Sequence, residues 1–127
     1  MYSRVILFFG EDMAMKDDIT KGHTQTMILA VLDREPLHGY AIAREIERKS
    51  DGLLTCQEGV LYPALRAMER EGLVSSQWEN QTNGPARKIY TITESGQNML
   101  TKRTQAWQQL QVAMGSILRG KPNEQTS

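Results

Sequence analysis

Hydrophobic and polar positions change period several times along the chain, and each period predicts an element. After Thr24 comes a near-continuous apolar run, Met27-Ile28-Leu29-Ala30-Val31-Leu32. It must end before Pro36, because proline disfavours a helical residue ahead of it. A helix apolar on all sides is a buried one. From Leu37 to Ser50 the pattern is amphipathic, with Leu37, Ile42 and Ile46 on one face and Arg44, Glu47, Arg48 and Lys49 on the others, ending at Asp51-Gly52. His38 is expected to cap this second helix. Gln57 to Glu71 forms a third, with Leu61, Leu65 and Met68 inward and Gly72 as a left-handed C-terminal cap. Between Leu73 and Ile92 the period falls to two: Leu73-Val74 leads to Trp78, then come the loop Gln81-Thr82-Asn83-Gly84-Pro85 and the run Lys88 to Ile92. That is a β-hairpin with a polar tip. Thr93 then caps a long helix whose first turn carries Glu94. Along it Leu100, Trp107 and Met114 recur every seven residues, with Leu110 and Ile117 interleaved and Arg103 at one seam position. Such a stripe wants a partner.

Three helices, a hairpin and a long terminal helix predict a mainly α, α+β fold: a winged helix-turn-helix with a two-stranded wing and a C-terminal dimerisation helix. The expected divisions are an extension at 1–22, the winged domain at 23–92, the dimerisation helix at 93–120 and a frayed tail at 121–127. The extension holds the apolar run Val5-Ile6-Leu7-Phe8-Phe9. It is too short for a secretory signal and far too short for a membrane span, so it reads as a poorly packed arm, with Met13 or Met15 as alternative starts.

Composition adds bounds. The chain has 127 residues, 39% of them hydrophobic, which fits one domain. A mean hydropathy of −0.49 argues against a membrane protein. A lone Cys56 closes no internal disulfide, which fits a cytoplasmic setting. Two histidines without a ligand pattern predict no metal centre and no cofactor. Fifteen basic residues balance fifteen acidic ones. Residues 23–92 alone carry eight basic and nine acidic side chains, so the winged region is not basic in bulk. Neutrality speaks against a non-specific nucleic-acid coat and leaves room for a dimeric, site-specific binder.

Several separate stretches, taken in order, resemble the PadR family of transcriptional regulators over about residues 23–118. They are Met27 to Leu32 followed by Pro36-Leu37-His38-Gly39-Tyr40, the run Gly59-Val60-Leu61-Tyr62-Pro63-Ala64-Leu65, Glu71-Gly72-Leu73-Val74, the segment Gly84-Pro85-Ala86-Arg87-Lys88-Ile89-Tyr90, and Thr93-Glu94-Ser95-Gly96. The resemblance implies a homodimer whose last helix supplies much of the interface and whose two winged domains bind a partly palindromic operator in double-stranded DNA, usually to repress. Some members take flat aromatic ligands between the dimer's helices, so the resemblance also leaves room for a small aromatic effector there. Two features depart from the pattern: Val60 stands where members commonly carry a small hydroxyl residue, and Val5 to Phe9 lies outside it.

Candidate DNA contacts follow from placement. Tyr62 and Arg66 are a turn apart on the third helix, opposite Leu61 and Leu65, and project toward DNA. Tyr62 is expected to bond a phosphate, with packing against the hairpin as the alternative. Gln57 and Gly59 sit at the helix start near base edges and phosphates; Gln57 reads equally well as a solvated residue. Tyr40 opens the second helix beside the groove. Asn83 and Gly84 form the wing tip, and Arg87 and Lys88 follow it, as phosphate contacts or as solvated charges guarding an edge strand. Arg70 is an exposed charge. Met99, Leu100, Trp107, Leu110, Met114 and Ile117 are the candidate dimer interface or effector pocket, with Trp107 read first as buried interface. Trp78 is expected as a core or edge anchor. Cys56 is a small core residue or a thiol activated by the following helix. A winged-helix protein-interaction module that binds no DNA is the second functional reading. An enzyme is not expected, since there is no phosphate-cradling loop, nucleophile elbow or zinc-spaced histidine pair.

Overall fold

A computed structural model of the protein describes residues 22–119, and the expectations for residues 1–21 and for the tail fall outside the described residues. The order is α1 (Thr24–Leu32), β1 (Leu37–His38), α2 (Gly39–Lys49), α3 (Glu58–Arg70), β2 (Val74–Glu79), β3 (Arg87–Ile92) and α4 (Glu94–Arg119). Among the described residues, four helices and an antiparallel sheet form the α+β arrangement that the element order predicts.

α1 is the centre of the core. Its Ile28, Leu29, Val31 and Leu32 are buried, and it touches α2, α3 and α4. Ile42 and Ile46 of α2, Leu61, Leu65 and Met68 of α3, and Leu73, Val74 and Tyr90 of the hairpin complete the cluster. Full burial of such side chains is worth ~1.5–3 kcal/mol each. Cys56 belongs to the same cluster, and burial pushes its thiol above the usual range. That is the packing role, not the activated one.

The sequence expectation needs three corrections. α2 begins at Gly39 rather than Leu37, because Leu37 and His38 are extended and pair antiparallel with Tyr90 and Ile89. β1 thereby joins the two-stranded wing, giving a sheet of three strands among the described residues in the order β1-β3-β2. His38 holds the N-cap position of α2 without a side-chain cap bond, its ring being engaged elsewhere. Trp78 is 69% exposed rather than an anchor. By parity it shares the face of buried Val74 and half-buried Ser76, but it lies beyond the edge of the core.

The end of α3 and the start of α4 are closed as the chain chemistry dictates. At α3 the Leu73 N–H bonds the Met68 carbonyl at 2.9 Å and the Gly72 N–H bonds the Glu69 carbonyl at 3.1 Å. This Schellman closure needs a left-handed residue, and Gly72 has φ +78°. The turn so formed receives α4. Thr93 donates its hydroxyl to the Gly72 carbonyl at 2.6 Å and its N–H to the Leu73 carbonyl at 3.1 Å, while its Oγ1 accepts the Gly96 N–H at 3.0 Å as an N-cap. Gly96 is buried, and a Cβ there would overlap the Leu73 carbonyl oxygen and come within 2.7 Å of Ile92 Cγ1. Gly96→Ala is expected to lower stability by ~1–3 kcal/mol, read as a lower urea midpoint with unchanged slope at fixed protein concentration.

Candidate nucleic-acid interface

The start of α2, one flank of α3 and the hairpin enclose an open groove of ≈ 670 Å³. It exists because α3 is inward-facing at Leu61, Leu65 and Met68, which turns Tyr62 and Arg66 toward the hairpin. Tyr62 is held by an unusually close approach. A Cβ on Gly39 would lie 2.7 Å from the Tyr62 hydroxyl and 2.7 Å from its ring, so only glycine lets the phenol pack on the first residue of α2. The hydroxyl is thereby fixed beside a helix N-terminus, where unpaired N–H groups favour anions.

Around this point the groove carries aromatic and cationic groups. Tyr40 is 61% exposed; the His38 ring lies nearly parallel to it, 9° between planes and 6.4 Å between centroids, and the Arg44 guanidinium stands 5.6 Å from the Tyr40 centroid. Arg66 is exposed on α3. Arg87 is half-buried, with Nη1 2.9 Å from His38 Nε2, and its Nε is buried without a hydrogen-bond partner among the described residues. A neutral imidazole accepts from the guanidinium in this geometry. Burial, then the Arg87 cation, hold the His38 pKa below its ordinary 6.5, opposed by Glu79.

Strand alternation gives Arg87 and Lys88 different partners. Lys88 Nζ reaches Glu69 Oε1 at 3.5 Å and lies 6.0 Å from the Trp78 centroid and 5.8 Å from that of Tyr90. Glu69 also accepts the Ser76 hydroxyl at 2.5 Å. One carboxylate on α3 thus ties both long strands of the hairpin to that helix. The Ser76 hydrogen bond, helped by Lys88, holds the Glu69 carboxyl below its usual range. At the far end of the hairpin, Gln81 Nε2 donates to the Pro85 carbonyl at 2.7 Å and closes the wing loop.

The groove gathers Tyr40, Tyr62, Arg66, Arg87 and Lys88 from the sequence candidates. Gln57 and Gly59 lie at the start of α3, exposed and outside the groove, and Gln57 makes no side-chain cap bond. Asn83 and Gly84 are exposed at the wing tip. Sequence reasoning missed His38, Gly39, Trp78, Gln81 and Tyr90 as groove residues. The pair Gly39-Tyr40 at a helix start was a usable signal for the first two; nothing in the local pattern marked the others. On α4, Met99 and Leu100 are half-buried against the core, so they serve this domain's own packing. Trp107, Leu110, Met114 and Ile117 are exposed, and Trp107 meets His23 edge-on at 5.6 Å.

A buried helical trio with a hairpin set beside its third helix defines a winged helix-turn-helix protein. The chain belongs to the transcriptional regulator PadR-like family, whose model matches residues 28–102. It is 26% identical over 106 residues to the transcriptional regulator YqjI of Escherichia coli, an alignment covering 80% of this chain and 49% of that protein. The chain spans about half the length of that relative. A PadR family regulator from Eggerthella lenta is 27% identical with a TM-score of 0.73, covering 89% of this chain and 96% of its own. Bacillus subtilis PadR in complex with operator DNA is 25% identical with a TM-score of 0.58, covering 63% of this chain and 45% of its own. Membership in a family of transcriptional regulators agrees with the expectation that the chain is not an enzyme.

Burial of His38, with the Arg87 cation beside it, makes stability depend on pH. Because the folded state depresses the His38 pKa, the unfolded chain binds the proton first, and stability that is complete above pH 6.5 falls as pH drops through the folded value. Urea midpoints measured from pH 7.5 to 5 are expected to decline, with His38→Gln removing that part of the slope; an identical slope in the variant would contradict a lowered His38 pKa in the folded state.

Proposed function

We propose that the protein is a dimeric, site-specific DNA-binding repressor that inserts α3 into the major groove and lays the wing along the flanking backbone. The observation that carries this is the groove itself, where Tyr62 and Arg66 on α3 and Arg87 on β3 converge beside the N-terminus of α2. A phosphate seated there takes the Tyr62 hydroxyl, the first N–H groups of α2 and a guanidinium. The operator-bound neighbour supports the same partner for this chain. Gln57 and Gly59 then lie near base edges, Asn83 and Gly84 near the sugar-phosphate backbone, and Tyr40 beside the groove. Lys88, engaged by Glu69, sets the wing against α3 and adds background charge.

Dimerisation rests on α4. From Thr104 to Arg119 nearly every residue is exposed, a length of roughly 24 Å at the helical rise. Trp107, Leu110, Met114 and Ile117 form its apolar stripe, which a second copy covers in this reading. A flat aromatic effector binds between the paired helices near Trp107, coupling ligand to the spacing of the two α3 helices.

Three measurements test this. Duplex DNA from upstream of the protein's own coding region is expected to shift in a gel at low salt, and no shift would count decisively against it. Tyr62→Phe combined with Arg66→Ala is expected to weaken binding more than tenfold without changing the unfolding midpoint, and to flatten the slope of log affinity against log salt by about two per dimer. Sedimentation is expected to give a dimer, and Leu110→Asp with Met114→Asp a folded monomer.

A further inference from the structure

The first turn of α3 holds an exposed apolar side chain that the fold does not use. Val60 is 52% exposed, and it stands in a segment whose neighbours offer little packing: Gly59 has nothing within 4 Å of where its Cβ would be, and Pro63, one turn on, is exposed. The inward residue here is Leu61, at 1% exposure. A β-branched residue is a poor choice for a helical first turn on propensity alone, so Val60 gains nothing from helix formation and little from burial.

We propose that Val60 is a specificity-determining residue that reads the C5 methyl of a thymine in each operator half-site; this rests on the DNA-binding reading above. Among the groups that base pairs present in the major groove, the hydrogen-bonding atoms give an isopropyl side chain no partner, and the thymine methyl is the apolar feature it can cover. Gly59 beside it removes the side chain that would hold the helix start away from the bases. Tyr62 and Arg66, further along α3, fix the depth of insertion from the groove side. Val60 makes no hydrogen bond through its side chain, so its contribution is discrimination between thymine and other bases rather than general affinity.

The test uses the full-length protein and its bound operator, with each thymine replaced in turn by deoxyuridine, which removes only the methyl group. One thymine position per half-site is expected to lose affinity roughly three- to fivefold, the worth of about one buried methyl. Val60→Ala is expected to bind the thymine and deoxyuridine duplexes equally at that position, with an unfolding midpoint like that of the parent. Val60→Thr, which keeps one methyl, is expected to retain part of the discrimination. Binding with no deoxyuridine-sensitive position, or the same penalty in Val60→Ala, overturns the assignment alone. Failure to bind any duplex overturns the DNA-binding reading and the assignment with it.

Discussion

The contact between Tyr62 and Gly39 sets the geometry on which the rest of the groove depends. Helix–helix distance is fixed by the side chains at the crossing, and here one partner has none. The phenol ring occupies the volume where a Cβ would be, which brings the N-terminus of α2 against the flank of α3. Three features stand beside that approach. The Tyr62 hydroxyl is placed at the electropositive end of α2, Tyr40 is turned out to solvent at the next position, and His38 is drawn back along β1 to meet β3. Any side chain at 39 would require the Tyr62 ring to shift from this position.

The hairpin is held to this frame by short polar links rather than by more apolar burial. Glu69 ties Ser76 and Lys88 to α3, and His38 takes the Arg87 guanidinium across the β1–β3 pairing. The second of these links lines the groove, and the first reaches it through Lys88. The arrangement explains how a domain without net positive charge can present cations locally: Arg66 and Arg87 line the groove, while Arg48 is held by Glu45 at 2.9 Å on exposed α2 surface. Placement, not composition, determines the field that a phosphate would meet. The α3–α4 junction, with Thr93 bonded to Gly72 and Leu73, makes the hairpin and the long helix leave the domain from one fixed point.

Much of this was legible in the sequence because local chemistry and tertiary structure agree. Leu61, Leu65 and Met68 have the spacing of a buried helical face, Gly72 is the residue that a Schellman closure demands, and Thr93 caps as its hydroxyl suggests. The readings that failed are those decided by distant partners. Leu37 and His38 become a strand only by pairing with Tyr90 and Ile89, some fifty positions later. Trp78 has the parity of a core residue, but the core ends before it, and parity carries no information about where a core stops. His38 has the position of a cap and the partner of a sheet residue. Lys88 and Arg87 are adjacent in sequence yet engage different elements, a split that alternation foreshadowed without naming the partners.

The long helix carries the same logic beyond the single domain. Its first turns are packed on the core through Met99 and Leu100, and among the described residues the remainder exposes the apolar stripe of Trp107, Leu110, Met114 and Ile117. In the dimer proposed above, two copies joined there would present two α3 helices at a fixed spacing, and it is this spacing that a near-neutral domain would need for selective binding. A hydroxyl-radical footprint of the full-length protein on DNA upstream of its coding region tests this most directly. The account predicts two protected patches on one face of the duplex, centred about one helical turn or a whole multiple of it apart; a single patch, or protection that spreads evenly along the fragment, would contradict it.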